Sequence, residues 1–177
     1  MKLSKFILVA FFVLALTSCS HDNEPLPFTL SNDNLAGTYS VNTIDIEEIE
    51  SATSAAGVTV ELSKNEKTGD TFQVDFLINS NGTYVVTGEY RSTSTVTPTP
   101  DKGQASPKII ILNASGTYAI NALENSINFS QSNGNFINGV FKTLIFNETG
   151  VSINQDVTNT QGGISNNIKT AISLKRK

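Results

Sequence analysis

The chain has 177 residues, a formal net charge of −4 and a hydrophobic content of 38%, which is enough for one domain with a core. It contains one cysteine and one histidine, Cys19 and His21, and no tryptophan. A Ser-His-Asp triad, a Cys-His pair and a histidine-ligated zinc site are therefore excluded from the rest of the chain. The acidic balance argues against nucleic acid as a partner, because such binding needs lysine and arginine to neutralise phosphates.

The first 18 residues have the order of a secretory signal. Lys2 and Lys5 precede an apolar run over residues 6–16, and small residues follow it. The run is shorter than the about 20 apolar residues that a membrane-spanning helix needs. Leu16-Thr17-Ser18-Cys19 resembles the lipobox of bacterial lipoproteins. That resemblance implies cleavage before Cys19, transfer of a diacylglyceryl group to its thiol and acylation of the new first residue, so that a membrane is the first expected partner.

The sequence is expected to divide into three parts: a signal peptide over residues 1–18, a lipidated flexible tether over 19–33 and a folded domain over 34–177. Two acyl chains, such as palmitate, hold a protein on a membrane stably, whereas one holds it only marginally. Loss of Lys2 and Lys5 would leave 10 basic against 16 acidic residues, so no polybasic contact with anionic lipid is expected. The expected location is the cell envelope at the outer membrane, with the periplasmic and surface sides both open.

From Thr38 onward, the hydrophobic pattern repeats every two residues, which predicts β-strands. The clearest hairpin joins residues 72–78 to residues 84–90 through Asn79-Ser80-Asn81-Gly82, a sequence typical of turns. Other short apolar runs follow at hairpin spacing, and they predict about nine or ten strands in an all-β sandwich or up-and-down barrel. These runs are residues 38–44, 58–62, 108–112, 117–120, 127–129, 140–146, 151–157 and 168–174.

Three segments interrupt this pattern. Residues 93–107 contain Pro98, Pro100 and Pro107 and are expected to form an unstructured loop, either a binding loop or simple disorder. Residues 45–56 fit both a short helix and an extension of the first strand. Asn113-Ala114-Ser115-Gly116 is expected to be a turn between two strands.

Asn34-Leu35-Ala36-Gly37-Thr38-Tyr39 resembles the Gly-x-Trp motif of lipocalins and bacterial lipocalin-like lipoproteins, with Tyr39 in place of the tryptophan. Weaker similarities follow in the same order at residues 81–84, 115–120 and 172–177. The resemblance implies an antiparallel up-and-down barrel of about eight strands, closed at one end and holding an apolar cavity in some members. It also implies that Arg176 stacks over Tyr39 to close the barrel, which requires a separation within about 6 Å. The alternative for Arg176 is a frayed basic tail.

The leading functional hypothesis is a non-catalytic, membrane-anchored module that binds one small apolar ligand inside the barrel. An enclosed apolar pocket of about 300 Å³ or more would support it. Six aromatic residues are candidates for the lining, although the same residues would also serve as core. They are Phe72, Phe76, Tyr84, Tyr90, Phe141 and Phe146. The alternative is a structural lipoprotein with a filled interior, which contacts envelope proteins or glycans through its Asn-rich loops.

An enzyme is the third possibility and is not expected, and neither a catalytic residue nor a cofactor is assigned. Asp45, Glu47, Glu48 and Glu50 form the densest acidic cluster. They lack the alternating Asp/Asn spacing of a calcium-binding loop, so a solvated acidic face is expected there and no metal site. The sequence does not indicate a particular protein partner.

Overall fold

A computed structural model describes residues 28–98 and 104–177. The segment predicted to be a signal peptide, Cys19 and the predicted tether up to residue 27 lie outside these ranges. The described chain contains one short helix, α1 (Asn32–Leu35), and eight strands. The strands are β1 (Gly37–Thr53), β2 (Thr59–Ile78), β3 (Thr83–Pro98), β4 (Gln104–Asn121), β5 (Ser126–Asn133), β6 (Gly139–Asn147), β7 (Gly150–Gln161) and β8 (Ile164–Arg176). Across these residues, no helical segment has the length and apolar character to span a bilayer.

The eight strands form one antiparallel sheet that closes on itself. Each strand pairs with the next along the chain, and β1 also pairs with β8, so the strand order around the closed barrel follows the sequence. The all-β, antiparallel prediction is confirmed in this form. The eight strands fall within the about eight to ten that the sequence predicts, and they are longer than the apolar runs indicated.

The barrel has two ends of different character. The closed end carries α1, the β2–β3 turn at residues 79–82 and the last residues of β8, and the largest fully buried side chains lie in this half. The open end carries the β1–β2 and β7–β8 turns. β5 pairs with β4 only from Ser115 onward, and β6 pairs with β7 only as far as Asn154. The wall near the open end therefore consists of the other six strands.

Asn113-Ala114-Ser115-Gly116 lies inside β4 and is not a turn. Gly116 pairs with Tyr84 across the strands, and its backbone lies against the Tyr84 ring. A Cβ at this position would come within 2.9 Å of Tyr84 Cε1 and 2.3 Å of the Ser130 carbonyl oxygen. The glycine thus permits a close approach between strands. The turn prediction was wrong because it took Gly116 as a turn residue and did not consider this role of glycine inside a strand.

The expected loop over residues 93–107 is wrong for most of its length. β3 continues to Pro98 and β4 begins at Gln104, with Thr93 paired to Pro107, while residues 99–103 lie outside the described ranges. Proline is tolerated at a strand end or on an edge, where no ladder donor is lost. Pro98 ends β3, and Pro107 lies where β4 has no second neighbour among the described strands.

Residues 45–56 continue the first strand as far as Thr53, so the strand alternative is correct and the helix is wrong. Ile46 faces the interior beside Lys67 and Thr170, while Glu47 lies outside and pairs with lysines of the two neighbouring strands. This alternation is what a strand with two differently solvated faces requires.

Residues 28–33, assigned from the sequence to the flexible tether, pack on the closed end of the barrel. The Phe28 ring lies 4.8 Å from the Phe146 ring, and Leu30 packs against the core. Ser31 caps α1 by accepting a hydrogen bond from the Asn34 N–H at 3.2 Å, and Leu35 is fully buried. The folded domain therefore includes these residues, because their apolar side chains are covered by the barrel.

Candidate functional site

Tyr39 and Arg176 close one end of the barrel. The guanidinium carbon of Arg176 lies 4.9 Å from the centre of the Tyr39 ring, inside the 6 Å limit for a cation–π contact. Arg176 also donates to the Tyr39 hydroxyl at 2.7 Å and to the Ala36 carbonyl at 2.7 Å. The Tyr39 hydroxyl donates in turn to the Leu35 carbonyl at 2.7 Å. Burial raises the pKa of Tyr39, and the nearby Arg176 charge lowers it by less.

Above this closure the barrel is filled with aromatic side chains. The Phe129 ring is the centre of the cluster, 5.4 Å from Tyr84, 5.9 Å from Phe141 and 6.1 Å from Phe76. All four are almost completely buried. Three of the six candidate lining residues, Phe76, Tyr84 and Phe141, therefore pack in the core of the closed half, and none of them lines a cavity.

The connection between β5 and β6 folds into the barrel and covers this cluster. Ile137 is buried, its carbonyl accepts from the Tyr84 hydroxyl at 3.1 Å, and the Phe136 ring packs edge-on against Phe76. The Gln131 side chain holds the connection, since its Oε1 accepts from the N–H groups of Phe136 and Ile137 at 2.8 and 3.2 Å. This connection separates the filled half from the open half.

The open half contains a cavity of about 400 Å³ that is partly open to solvent and not enclosed. Strand register explains its lining, because Gly69 pairs with Ser92, Tyr90 with Ile110, and Ser92 with Lys108 on one inward face. The end nearer the core is apolar, and the end nearer the opening carries hydroxyl and ammonium groups. The lining residues are Ile44, Ile46, Lys67, Gly69, Tyr90, Ser92, Ser94, Ser106, Lys108 and Ile110.

Phe72 and Tyr90 form the aromatic part of this region. Their rings stack with centres 5.5 Å apart and planes 21° apart. A shift in the β2–β3 register between Asp70 and Gln73 lies beside Phe72, and Gly69 leaves space for the Phe72 ring, which would meet a Cβ there at 2.6 Å. Tyr90 is buried, and this burial raises the pKa of its hydroxyl.

Four polar side chains at one side of the cavity, those of Lys67, Glu48, Asn65 and Ser94, are connected by hydrogen bonds. Glu48 accepts from Lys67 at 2.7 Å and from Asn65 at 2.9 Å. The Asn65 side-chain oxygen accepts in turn from Ser94 at 2.7 Å. Lys67 is therefore neutralised locally by Glu48. Within the described ranges, Lys108 forms no ion pair.

The six candidate lining residues thus separate into three groups. Tyr90 lines the cavity, and the Phe72 ring packs over Gly69 and stacks on the Tyr90 ring. Phe146 packs on Phe28 at the closed end, and the other three lie in the core. The cavity serines and lysines were missed from the sequence because most of them lie in or beside the proline-rich segment taken for a loop. The signal that could have revealed them is a spacing of two residues, from Ser92 to Ser94 and from Ser106 to Lys108, which places both members of each pair on one face of a strand.

The acidic segment of β1 has a structural role in ion pairing. Glu47 accepts from Lys64 and Lys169, each at 2.9 Å, and these hydrogen bonds hold the pKa of Glu47 below its usual range. In the ranges that the structure covers, no group of three or more His, Cys, Asp or Glu side chains is arranged to hold a metal ion.

No family model, characterised protein or solved structure matches this chain. The site must therefore be interpreted from its own geometry. That geometry combines a closed end, an aromatic barrier and a cavity that opens at the other end.

Proposed function

We propose that this chain is a cell-envelope lipoprotein of the outer membrane, held there by acylated Cys19, whose lipocalin-like barrel binds one small ligand without catalysing a reaction. The observation that carries the proposal is the cavity of about 400 Å³ in the open half of the barrel. Its volume is in the range of small-molecule sites, which begins at about 300 Å³. The cavity residues supply apolar area, hydroxyl groups and two ammonium groups, and none of them is an acid or a histidine.

The cavity favours ligand binding over the alternative of a structural lipoprotein. That alternative requires an interior filled by side chains, and the filled part of this barrel is limited to the closed half. In the open half, small residues occupy inward positions on three adjacent strands, at Gly69 of β2, Ser92 and Ser94 of β3, and Ser106 of β4. Larger apolar side chains in place of the three serines would fill part of this space, whereas Gly69 has no room for a side chain beside the Phe72 ring.

A pair of substitutions on β3 tests binding in the cavity. Ser92 lines the cavity, whereas its neighbour Thr93 is absent from the lining and points to the other face of the sheet. Ser92→Phe should fill the cavity and abolish binding of co-purifying lipid or of an added apolar fluorophore, as measured by native mass spectrometry and fluorescence. Thr93→Phe should retain both. Equal binding by the two variants would contradict an interior site.

The anchor is tested separately by metabolic labelling with alkyne-tagged palmitate. Cys19→Ala should lose the label and release the protein from the membrane fraction, because the thiol that receives the lipid is gone. Ser18→Ala keeps a small residue at the cut site and should remain labelled. A label that persists in Cys19→Ala would contradict the lipoprotein assignment. It would not bear on the proposal that the cavity binds a ligand.

A further inference from the structure

We infer that the ligand of this cavity is an amphipathic anion, with its acidic group held at Lys108 and its apolar part packed on Tyr90, Ile44 and Ile110. This inference rests on the proposed function and names the chemical class of the molecule bound. It is carried by two features of the lining: the order of polarity along the cavity and the difference in charge compensation between its two lysines.

The order of polarity follows from strand register. Tyr90 pairs with Ile110 at the deeper level, Ser92 with Lys108 at the next level, and Ser94 with Ser106 nearer the opening. The cavity therefore presents hydroxyl and ammonium groups near its opening and apolar surface at its deeper end. An apolar molecule would leave the polar groups unpaired, and a fully polar molecule would leave the apolar surface unused.

The charges in the cavity favour an anion over a cation. Lys67 and Lys108 are the charged residues of the lining, and both are positive. Glu48 neutralises Lys67 through a contact of 2.7 Å and is itself engaged by Asn65. Glu50 shares the inward face of β1, but it is two residues nearer the open end and is not part of the lining. Among the residues that the structure describes, Lys108 is therefore the lining residue whose charge has no ion-pair partner.

The neighbours of Lys108 fit recognition of an acidic group. Ser92 lies opposite Lys108 across the strand pair, and Ser106 precedes it by two residues on the same face of β4. A carboxylate oxygen can accept from the ammonium and from a hydroxyl at once, and charge-assisted hydrogen bonds of this kind are stronger than neutral ones. Because Lys108 is exposed, a ligand held there can keep its acidic group at the edge of the solvent.

Three probes of one chain length and different head groups test this inference: dodecanoate, dodecanol and dodecylammonium. Their binding to the purified protein is measured by competition with an uncharged apolar fluorophore. Dodecanoate should bind about tenfold more tightly than dodecanol, and dodecylammonium should bind most weakly. Lys108→Met should bind dodecanoate and dodecanol with equal affinity when both are measured on this variant, and its circular dichroism spectrum shows whether it is folded. Lys175→Met, an exposed lysine at the closed end, should keep the preference for dodecanoate.

The outcomes distinguish this inference from the function on which it rests. If none of the three probes binds, the proposed cavity function fails and the inference fails with it. If dodecanol or dodecylammonium binds as tightly as dodecanoate, or if Lys108→Met retains the preference, the protein binds ligands but does not select anions through Lys108. Loss of the preference in Lys175→Met would likewise contradict a role specific to Lys108.

Discussion

Tyr39 and Arg176 pair across β1 and β8, and the guanidinium carbon of Arg176 lies 4.9 Å from the Tyr39 ring centre. The pair joins the first and last strands at the point where the barrel closes. The same guanidinium donates to the carbonyls of Asn34 and Ala36, which lie at the end of α1. One side chain therefore connects α1, β1 and β8, and we expect it to contribute to the stability of the whole closed end.

Arg176→Met is predicted to lower the free energy of unfolding by about 2–4 kcal/mol. It removes the cation–π contact and leaves two backbone carbonyls without their donor. Urea denaturation followed by tyrosine fluorescence measures the loss. Lys175→Met is the matched control on the opposite face of β8 and should change stability by less than about 0.5 kcal/mol. A similar loss in both variants would mean that the basic tail contributes only through its total charge.

Local sequence rules account for the closed half of the barrel. The alternation in residues 72–78, 84–90 and 168–174 is visible because one face of each strand is buried and apolar, and a buried face requires a period of two residues. The turn at residues 79–82 has its glycine, Gly82, at φ +82°, and the Asn79 N–H donates to the Thr83 carbonyl at 2.9 Å. Arg176 follows the buried Leu174 by two residues, so the same period places Arg176 on the inward face of β8.

The same rules fail in the open half, because the inward residues there are mostly polar. Ser92 and Ser94 alternate with threonines, and Ser106 and Lys108 alternate with Ala105, Pro107 and Ile109, so no inward apolar period marks the second half of β3 and the start of β4. These strands are set by pairing with neighbours around the ring, which is a non-local property of the chain. For this reason two of the lining residues, Ser94 and Ser106, lie in a segment that the sequence predicts to be a loop.

Gly116→Ala is predicted to destabilise the barrel by about 1–3 kcal/mol, although alanine is the better strand former in an ordinary position. The added methyl group would meet the Ser130 carbonyl oxygen and the Tyr84 ring. Thermal unfolding followed by circular dichroism measures the change. Thr117→Ala, one residue along on the exposed face, should cost less than about 1 kcal/mol. A gain in stability in Gly116→Ala would show that Tyr84 can move aside without cost.

The Asp70–Arg91 pair predicts a dependence of stability on pH. Arg91 donates to both Asp70 oxygens, at 2.7 and 2.8 Å, and these bonds hold the pKa of Asp70 below its usual range. Because the folded-state pKa is lowered, the contribution is present above the unfolded-chain pKa of about 4 and is lost as pH falls through the folded-state value.

We therefore expect Asp70→Asn to be less stable than the parent chain at pH 7, with the difference vanishing in strong acid. Urea midpoints for both proteins, measured across the acidic range, check this expectation. Both side chains are about half exposed, so the difference should also shrink in molar salt. A difference independent of pH would show that the substitution acts through packing or strand propensity and not through the ion pair.

The unpaired part of β4 carries apolar side chains on its outer face. Ile109 and Ile111, opposite Arg91 and Glu89 on β3, are 54% and 78% exposed. β5 pairs with β4 only from Ser115 onward, so the backbone beside these isoleucines has a free edge in the described structure. Such an edge favours pairing with another chain, and a lysine on it opposes that pairing.

Ile111→Lys is predicted to slow aggregation of the concentrated protein while changing the free energy of unfolding by no more than about 0.5 kcal/mol. Leu123→Lys is the control, since Leu123 is fully exposed in the β4–β5 turn, away from the free edge, and gains the same charge. Both changes reduce the net negative charge equally, so any difference in aggregation rate between the two variants comes from the position of Ile111 at the free edge of β4. Light scattering with time should show slower growth for Ile111→Lys alone. Equal rates for the two variants would mean that this edge of β4 does not lead the association of chains.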